Sequence, residues 1–135
     1  MTTIEDLKII QIPKIHDPRG NLSVSEGDVL PYRIERVYYL YDVPSDAARG
    51  GHAHKEQLEC LIALSGSFSV LLDDGTNQTR VGLNKPNQGL LIPTGIWRSL
   101  DDFSSGAVCL VLSSGRFEEA DYIREYADFL TAKGR

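Results

Sequence analysis

Long apolar runs are missing from this chain. No stretch of its 135 residues approaches the roughly 18 consecutive apolar residues that a membrane-crossing helix needs. The opening segment, MTTIEDLKII, has no apolar signal core. Both features predict a soluble, cytoplasmic protein. Cysteine is scarce: there are only Cys60 and Cys109, each inside an apolar run and neither in a metal-ligand spacing. This excludes a disulfide scaffold and a zinc–thiolate module, and predicts two buried, reduced thiols. An excess of positive charge is also absent. With 14 Lys+Arg against 19 Asp+Glu, the net charge is −5. Non-specific nucleic-acid binding, which runs on phosphate neutralisation, is therefore excluded, while a local site for a phosphate group is not. No repeat, low-complexity tract or linker divides the chain, so residues 1–135 are read as one domain. A chain of this length buries a core without disulfide staples.

Helical spacing is nearly absent too. It occurs only in FEEADYIREYADFLTAKGR (117–135), where Ala120, Ile123, Ala127 and Leu130 fall on one stripe and predict a helix. The rest reads as short strands between turns. DLKIIQIPKI (6–15) is a strand broken by Pro13, hence an edge. HDPRGNL (16–22) is a turn, followed by a strand in NLSVSEG. RIERVYYLYDV (33–43) is rich in Tyr and Val. GGHAHKEQLECLIALSGSFSVLLDDG reads as two long strands joined at Ser65-Gly66, with a hairpin turn at Asp74-Gly75. RVGLNKPNQGLLIPTGIWRSL gives two short strands around Pro86 and Gly89, and SGAVCLVLSSG a strand buried on both faces. Many short strands and one terminal helix predict an all-β sandwich or barrel with a ligand site at its mouth.

What is present is a concentrated polar motif. The chain has three histidines, and two of them, His52 and His54, stand two apart on a predicted strand. They therefore share a face. Such a pair can hold a metal or move a proton. His-x-His, Glu59 and Gly66 match the first motif of the cupin superfamily, and Pro93-Thr94-Gly95-Ile96-Trp97-Arg98 matches the second, with arginine in the last ligand position. A guanidinium cannot ligate and repels a divalent cation. His52, His54 and Glu59 could still form a three-ligand site. Without metal, the imidazoles serve as general base and acid. Arg19, Arg36, Arg49 and Arg98 lie close in sequence to these elements and suggest a bound anion. Tyr38 lies on one face of its strand and Tyr39 and Tyr41 on the other; either set could reach the pocket, with Tyr39 taken as the candidate. Trp97 is either pocket wall or core.

The blocks DPRGNL, RVYYLYDV, RGGHAHKE, LSGSFSVLLDDG, IPTGIWRSLDDFSSGAVCLVL and DYIREY occur in this order over roughly residues 15 to 130. Together they resemble the bacterial sugar 3,4-ketoisomerases acting on dTDP-4-keto-6-deoxyglucose, the FdtA and QdtA type, also called WxcM-like. The resemblance implies a cupin-type double-sheet β-barrel (jelly roll) with one short C-terminal helix. It implies a dTDP-sugar substrate, no metal and no cofactor, and a homodimer with exchanged N-terminal strands. The keto group would move from C4 to C3, feeding 3-amino-3,6-dideoxyhexose synthesis for O-antigens, S-layer glycans or antibiotics. His52 would be the base and His54 its partner or shuttle, with Arg98 or Tyr39 as donor to the C4 oxygen. Arg19, Arg36, Arg49, Glu59 and Trp97 would bind substrate. Arg98 resembles the gluco-forming type and Arg19 in DPRG the galacto-forming type; the whole DPRG turn tips the expectation to galacto. The competing readings are a 5-epimerase, a metal-dependent cupin, and a dTDP-sugar binding module without catalysis.

Overall fold

A computed structural model describes residues 1–135. Twelve strands are present: β1 Lys8–Gln11, β2 Lys14–Asp17, β3 Gly20–Ser23, β4 Arg36–Leu40, β5 Arg49–His54, β6 Glu59–Ser65, β7 Phe68–Asp73, β8 Gln78–Leu83, β9 Gln88–Ile92, β10 Trp97–Asp101, β11 Val108–Ser113 and β12 Tyr122–Ile123. One α-helix, α1 (Tyr126–Ala132), follows. The strands form two five-stranded antiparallel sheets, β1-β9-β6-β11-β4 and β12-β5-β10-β7-β8, plus the separate hairpin β2-β3. The sheets face each other as a cupin-type double-sheet roll without closing into a continuous barrel. No helix is long and apolar enough to cross a membrane.

The two-residue period of a strand explains the core. Leu61, Ala63, Leu90, Ile92, Cys109 and Val111 point inward from the first sheet and meet Phe68, Val70, Leu72, Leu83 and Leu100 of the second. Each of the Leu, Ile, Val and Phe side chains among these, fully buried, stabilises the fold by about 1.5–3 kcal/mol relative to exposure. The alternate residues Cys60, Ile62 and Leu112 form a second cluster with Ile12 and Leu30 on the outer side of the first sheet. Tyr32 pins the segment above them by donating its hydroxyl hydrogen to the Leu112 carbonyl at 2.5 Å. This cover is why β11 is apolar on both faces, as its sequence indicates. Both cysteines are free and buried, and burial pushes each thiol up to about 12.

Three parts of the chain depart from the sequence expectations. The segment from Arg49 to Asp73 makes three strands, and Ser65-Gly66 is a crossover between sheets, since β6 and β7 do not pair with each other. Gly66 has φ +66°, and a Cβ there would strike Ser104 and Ala107. Gly89 lies inside β9, and the strands of that region are three, β8, β9 and β10. The expected helix over 117–135 is confined to Tyr126–Ala132. Ahead of it, Glu119–Asp121 forms a 3-10 turn and Tyr122–Ile123 pairs with β5, Tyr122 opposite His54 and Ile123 opposite Ala53. Tertiary pairing of two residues with strong β preference overrides the helical stripe. By contrast, β1 lies at a sheet edge and the Asp74-Gly75 hairpin joins β7 to β8, as expected.

Candidate active site

The two sheets open around a cavity of about 230 Å³. Arg36, Tyr38 and Leu40 of β4, Glu59 and Leu61 of β6 and Val111 of β11 line one side. Arg49, Gly50 and His52 of β5 and Arg98 and Leu100 of β10 line the other, and Tyr122 and Arg124 close the rim. Four arginines against one glutamate give this cavity a positive field in an otherwise acidic chain.

A β-bulge aims the histidines. Arg98 of β10 is opposite His52, but Ser99 is already opposite Gly50, which leaves Gly51 as the extra residue. Gly50 and Gly51 have φ of +98° and +63°, a region that favours glycine. Beyond the bulge, His52 and His54 share one face, as the sequence indicates. Their Nε2 atoms are 3.2 Å apart and their rings meet edge-on. His52 lines the cavity, whereas His54 is 0% exposed and lies behind it. The His54 ring is held by Asp121, whose Oδ2 is 2.7 Å from Nδ1, and its Nε2 is 3.3 Å from Glu59 Oε1. Tyr122 lies against both imidazoles. Burial, then the charge of Arg98, push His52 down to about 3, so its ring is neutral throughout the physiological range.

Glu59 is the hub of the opposite wall. Arg98 Nη1 donates to Oε1 at 2.8 Å, Tyr38 donates to Oε2 at 2.8 Å, and Arg36 Nη2 stands 3.7 Å away. Burial alone would raise the Glu59 carboxyl; the neighbouring His54 ring and the Arg98 charge outweigh it and hold it at about 2. Arg98 is completely buried, and its Nη2 has no protein partner. The Arg36 Nε is likewise unpartnered, while its Nη2 donates to Gln57 and to the Tyr122 hydroxyl. His52, His54 and Glu59 place their donor atoms within 4.8 Å of one another. Both Glu59 oxygens are already engaged, by Arg98 and Tyr38, so a metal there would have to displace a buried guanidinium.

Of the residues singled out in the sequence, His52, Arg36, Arg49, Glu59 and Arg98 come together in the cavity, with His54 directly behind. Three do not. Tyr39 is 58% exposed and lies beside Tyr41 with the rings tilted, because alternation along β4 turns Tyr38 inward instead. Trp97 lies on the outer face of its sheet against Tyr126 and Phe129, one residue out of phase with Arg98. Arg19, at the tip of the β2-β3 hairpin, has its side chain 90% exposed, is paired with Asp17, and is not among the cavity residues. Sequence reasoning missed Asp121, Tyr122 and Arg124. All three lie in the DYIREY block, which its helical spacing disguised.

With this geometry established, similarity to known proteins is informative. Residues 5–134 match the family described as FdtA: WxcM-like, C-terminal. A TDP-4-oxo-6-deoxy-alpha-D-glucose-3,4-oxoisomerase of Aneurinibacillus thermoaerophilus is 42% identical over 123 residues, spanning 90% of this chain and 88% of that one. The crystal structure of a 3,4-ketoisomerase from Helicobacter canadensis superposes with a TM-score of 0.93 at 42% identity, over 96% of this chain and 98% of that one. The 3,4-ketoisomerase QdtA of Thermoanaerobacterium thermosaccharolyticum superposes with a TM-score of 0.94 at 36% identity, over 97% and 96% of the two chains. That structure is a histidine-to-asparagine mutant in complex with TDP-4-keto-6-deoxyglucose. QdtA has also been solved with TDP as a double mutant, tyrosine to arginine and arginine to histidine. A match over nearly the whole chain, backed by these identities and superpositions, places this protein in the FdtA family of WxcM-like C-terminal proteins, whose relatives named here are 3,4-keto- or oxoisomerases.

Proposed function

We propose that the protein is a metal-free sugar-nucleotide 3,4-ketoisomerase converting dTDP-4-keto-6-deoxy-D-glucose to a dTDP-3-keto-6-deoxyhexose. The observation that carries this reading is a neutral, cavity-facing His52 opposite a buried Arg98 with one unpartnered nitrogen. The mutated histidine and arginine of QdtA are spaced in that chain as His52 and Arg98 are in this one. The C3 proton is acidic because it lies α to the C4 carbonyl. His52 removes it, the electron pair moves to the C4 oxygen, and an enediol forms. One proton then goes to C4 and one passes from the C3 oxygen to the C4 oxygen, with no net redox change and no cofactor needed. A positioned imidazole contributes about 10²–10⁴-fold to such a transfer. Arg98 Nη2, together with Tyr38 or Tyr122, is the donor set for the developing oxyanion. Arg36, Arg49 and Arg124 hold the diphosphate at the mouth, and this remote binding positions the hexose against the base.

The same reading gives Arg19 and the dimer their roles. The β2-β3 hairpin belongs to neither large sheet, and its cross-strand pair Ile15 and Leu22 is exposed. A homodimer exchanging N-terminal strands covers that pair and lets Arg19 serve the partner's cavity. The two free, buried thiols suit a reducing cytoplasm. Galacto configuration at C4 of the product is assigned from the DPRG turn. Gluco is the second reading, favoured by Arg98 being the arginine actually buried beside His52.

The test is incubation of chelator-treated protein with dTDP-4-keto-6-deoxyglucose in heavy water, followed by proton NMR, with His52→Asn alongside. A 3-keto sugar formed by the wild type alone supports the reading, and the H4–H5 coupling of the product made in ordinary water decides galacto against gluco. Activity only after iron or manganese is added overturns it in favour of a metal enzyme. Exchange at C3 and C5 with the ketone still at C4 points to a 5-epimerase, and binding without conversion to a carrier.

A further inference from the structure

We infer that Asp121 is a positioning residue for the proton transfer, holding His54 in the tautomer that can exchange a proton with His52. This rests on the reading of His52 as the base. His54 touches no part of the cavity, so whatever it does to substrate it does through His52. A neutral imidazole has two tautomers, and only the one with its hydrogen on Nδ1 leaves Nε2 free. Here Nδ1 faces Asp121 Oδ2 at 2.7 Å and Nε2 faces Nε2 of His52 at 3.2 Å. A carboxylate accepts and cannot donate; Asp121 Oδ2 at 2.7 Å is the closer acceptor, whereas Glu59 Oε1 stands 3.3 Å from Nε2 and already accepts from Arg98, so the hydrogen belongs on Nδ1.

The Asp121 carboxylate is itself immobilised. Its Oδ1 accepts from the Glu56 backbone N–H at 2.6 Å, and its own carbonyl accepts from the Lys55 N–H at 2.9 Å. The neighbouring strand β12 is paired to β5, with Tyr122 opposite His54. These contacts clamp the carboxylate to the strand that carries both histidines. Asp121 is 7% exposed and His54 fully buried, which keeps bulk water from competing for the proton.

The chemical step balances within this arrangement. The C3–H bond breaks, an N–H bond forms on His52, and the electron pair goes to the C4 oxygen. The proton passes between the facing Nε2 atoms, and His54 holds it between two carboxylates, Asp121 at Nδ1 and Glu59 at 3.3 Å from Nε2, until it returns to C4 through His52. One arrangement thus supplies both a removable base and a local store for the proton.

Asp121→Asn tests this with little disturbance, because the amide oxygen still accepts from Glu56 while the NH₂ faces Nδ1 and forces the hydrogen onto Nε2. The expected result is a fall in kcat of about 10²–10⁴-fold. KM for dTDP-4-keto-6-deoxyglucose should stay within about threefold, because Asp121 does not line the cavity. Nitrogen-15 NMR of the histidines in the wild type should show His54 protonated at Nδ1, and in Asp121→Asn that hydrogen should move to Nε2. A wild-type His54 bare at Nδ1 overturns the inference even if the variant fails to fold. So does an Asp121→Asn enzyme that keeps kcat within threefold while the wild type is active. If the wild type converts no substrate yet shows the Nδ1 tautomer, the positioning geometry stands and the reaction assigned to His52 is what fails.

Discussion

Glu59→Gln removes the one negative charge lining the cavity wall and leaves the shape almost unchanged. In the wild type its oxygens engage Arg98 at 2.8 Å, Tyr38 at 2.8 Å and His54 at 3.3 Å, all inside the protein. The variant leaves the Arg98 guanidinium, 0% exposed, without a counter-ion. Breaking a buried pair by neutralising one partner costs about 3–5 kcal/mol. With an unfolding entropy of about 2.1 cal/mol/K per residue, a chain of this length loses roughly 3.5 °C per kcal/mol. The expected fall in Tm is therefore about 10–18 °C, read by calorimetry and matched by the urea midpoint. Glu59→Gln combined with Arg98→Met should recover at least half of the loss, because no unpaired charge remains. A Tm change under about 3 °C in the single variant would refute the claim that Glu59 anchors a desolvated network.

Other outcomes follow from the same site. Folded His52 titrates near 3 against about 6.5 unfolded, and Glu59 near 2 against about 4.5. In both cases the unfolded chain binds protons first on acidification. Stability is then complete above pH 6.5 and falls at up to about 1.4 kcal/mol per pH unit through the His52 window, with Glu59 adding its share below pH 4.5; urea titrations from pH 7 to 4 measure it. Arg98→Gln removes a charge that depresses His52, so the acid limb of kcat/KM should move upward while kcat falls about 10²–10³-fold. Tyr38→Phe should lower kcat/KM at least tenfold, and Tyr39→Phe, on the exposed face of β4, should leave turnover within about twofold; steady-state assays compare them. Arg19→Ala alone should be inactive and mixing it with His52→Asn should restore activity through mixed dimers; unchanged inactivity of the mixture would show that Arg19 acts within its own chain, and an active Arg19→Ala that it takes no part.

Periodicity carries the legible part of this molecule. A two-residue repeat places His52 and His54 together and makes β11 apolar on both faces, and the structure agrees on both counts. The phase of that repeat is harder to read where neighbouring residues are alike. In RVYYLYDV a tyrosine lies on either face, and only the packing of β4 against β11 turns Tyr38 inward. Trp97 and Arg98 show the same limit: adjacent in sequence, they stand on opposite sides of one sheet. Asp121 was illegible for another reason. It meets His54 across 67 positions of chain, through a two-residue strand whose local spacing mimics a helix.

Strand β12 is the outermost strand of its sheet, and nothing else pairs through it. The ribosome releases the chain from its amino end, so a nascent copy interrupted before residue 121 already holds every other strand of both large sheets. It lacks Asp121, Tyr122 and Arg124, the last components of the site to emerge. On the proposed reaction, copies terminated before residue 121 should therefore show no turnover although most of their sheet pairing is in place.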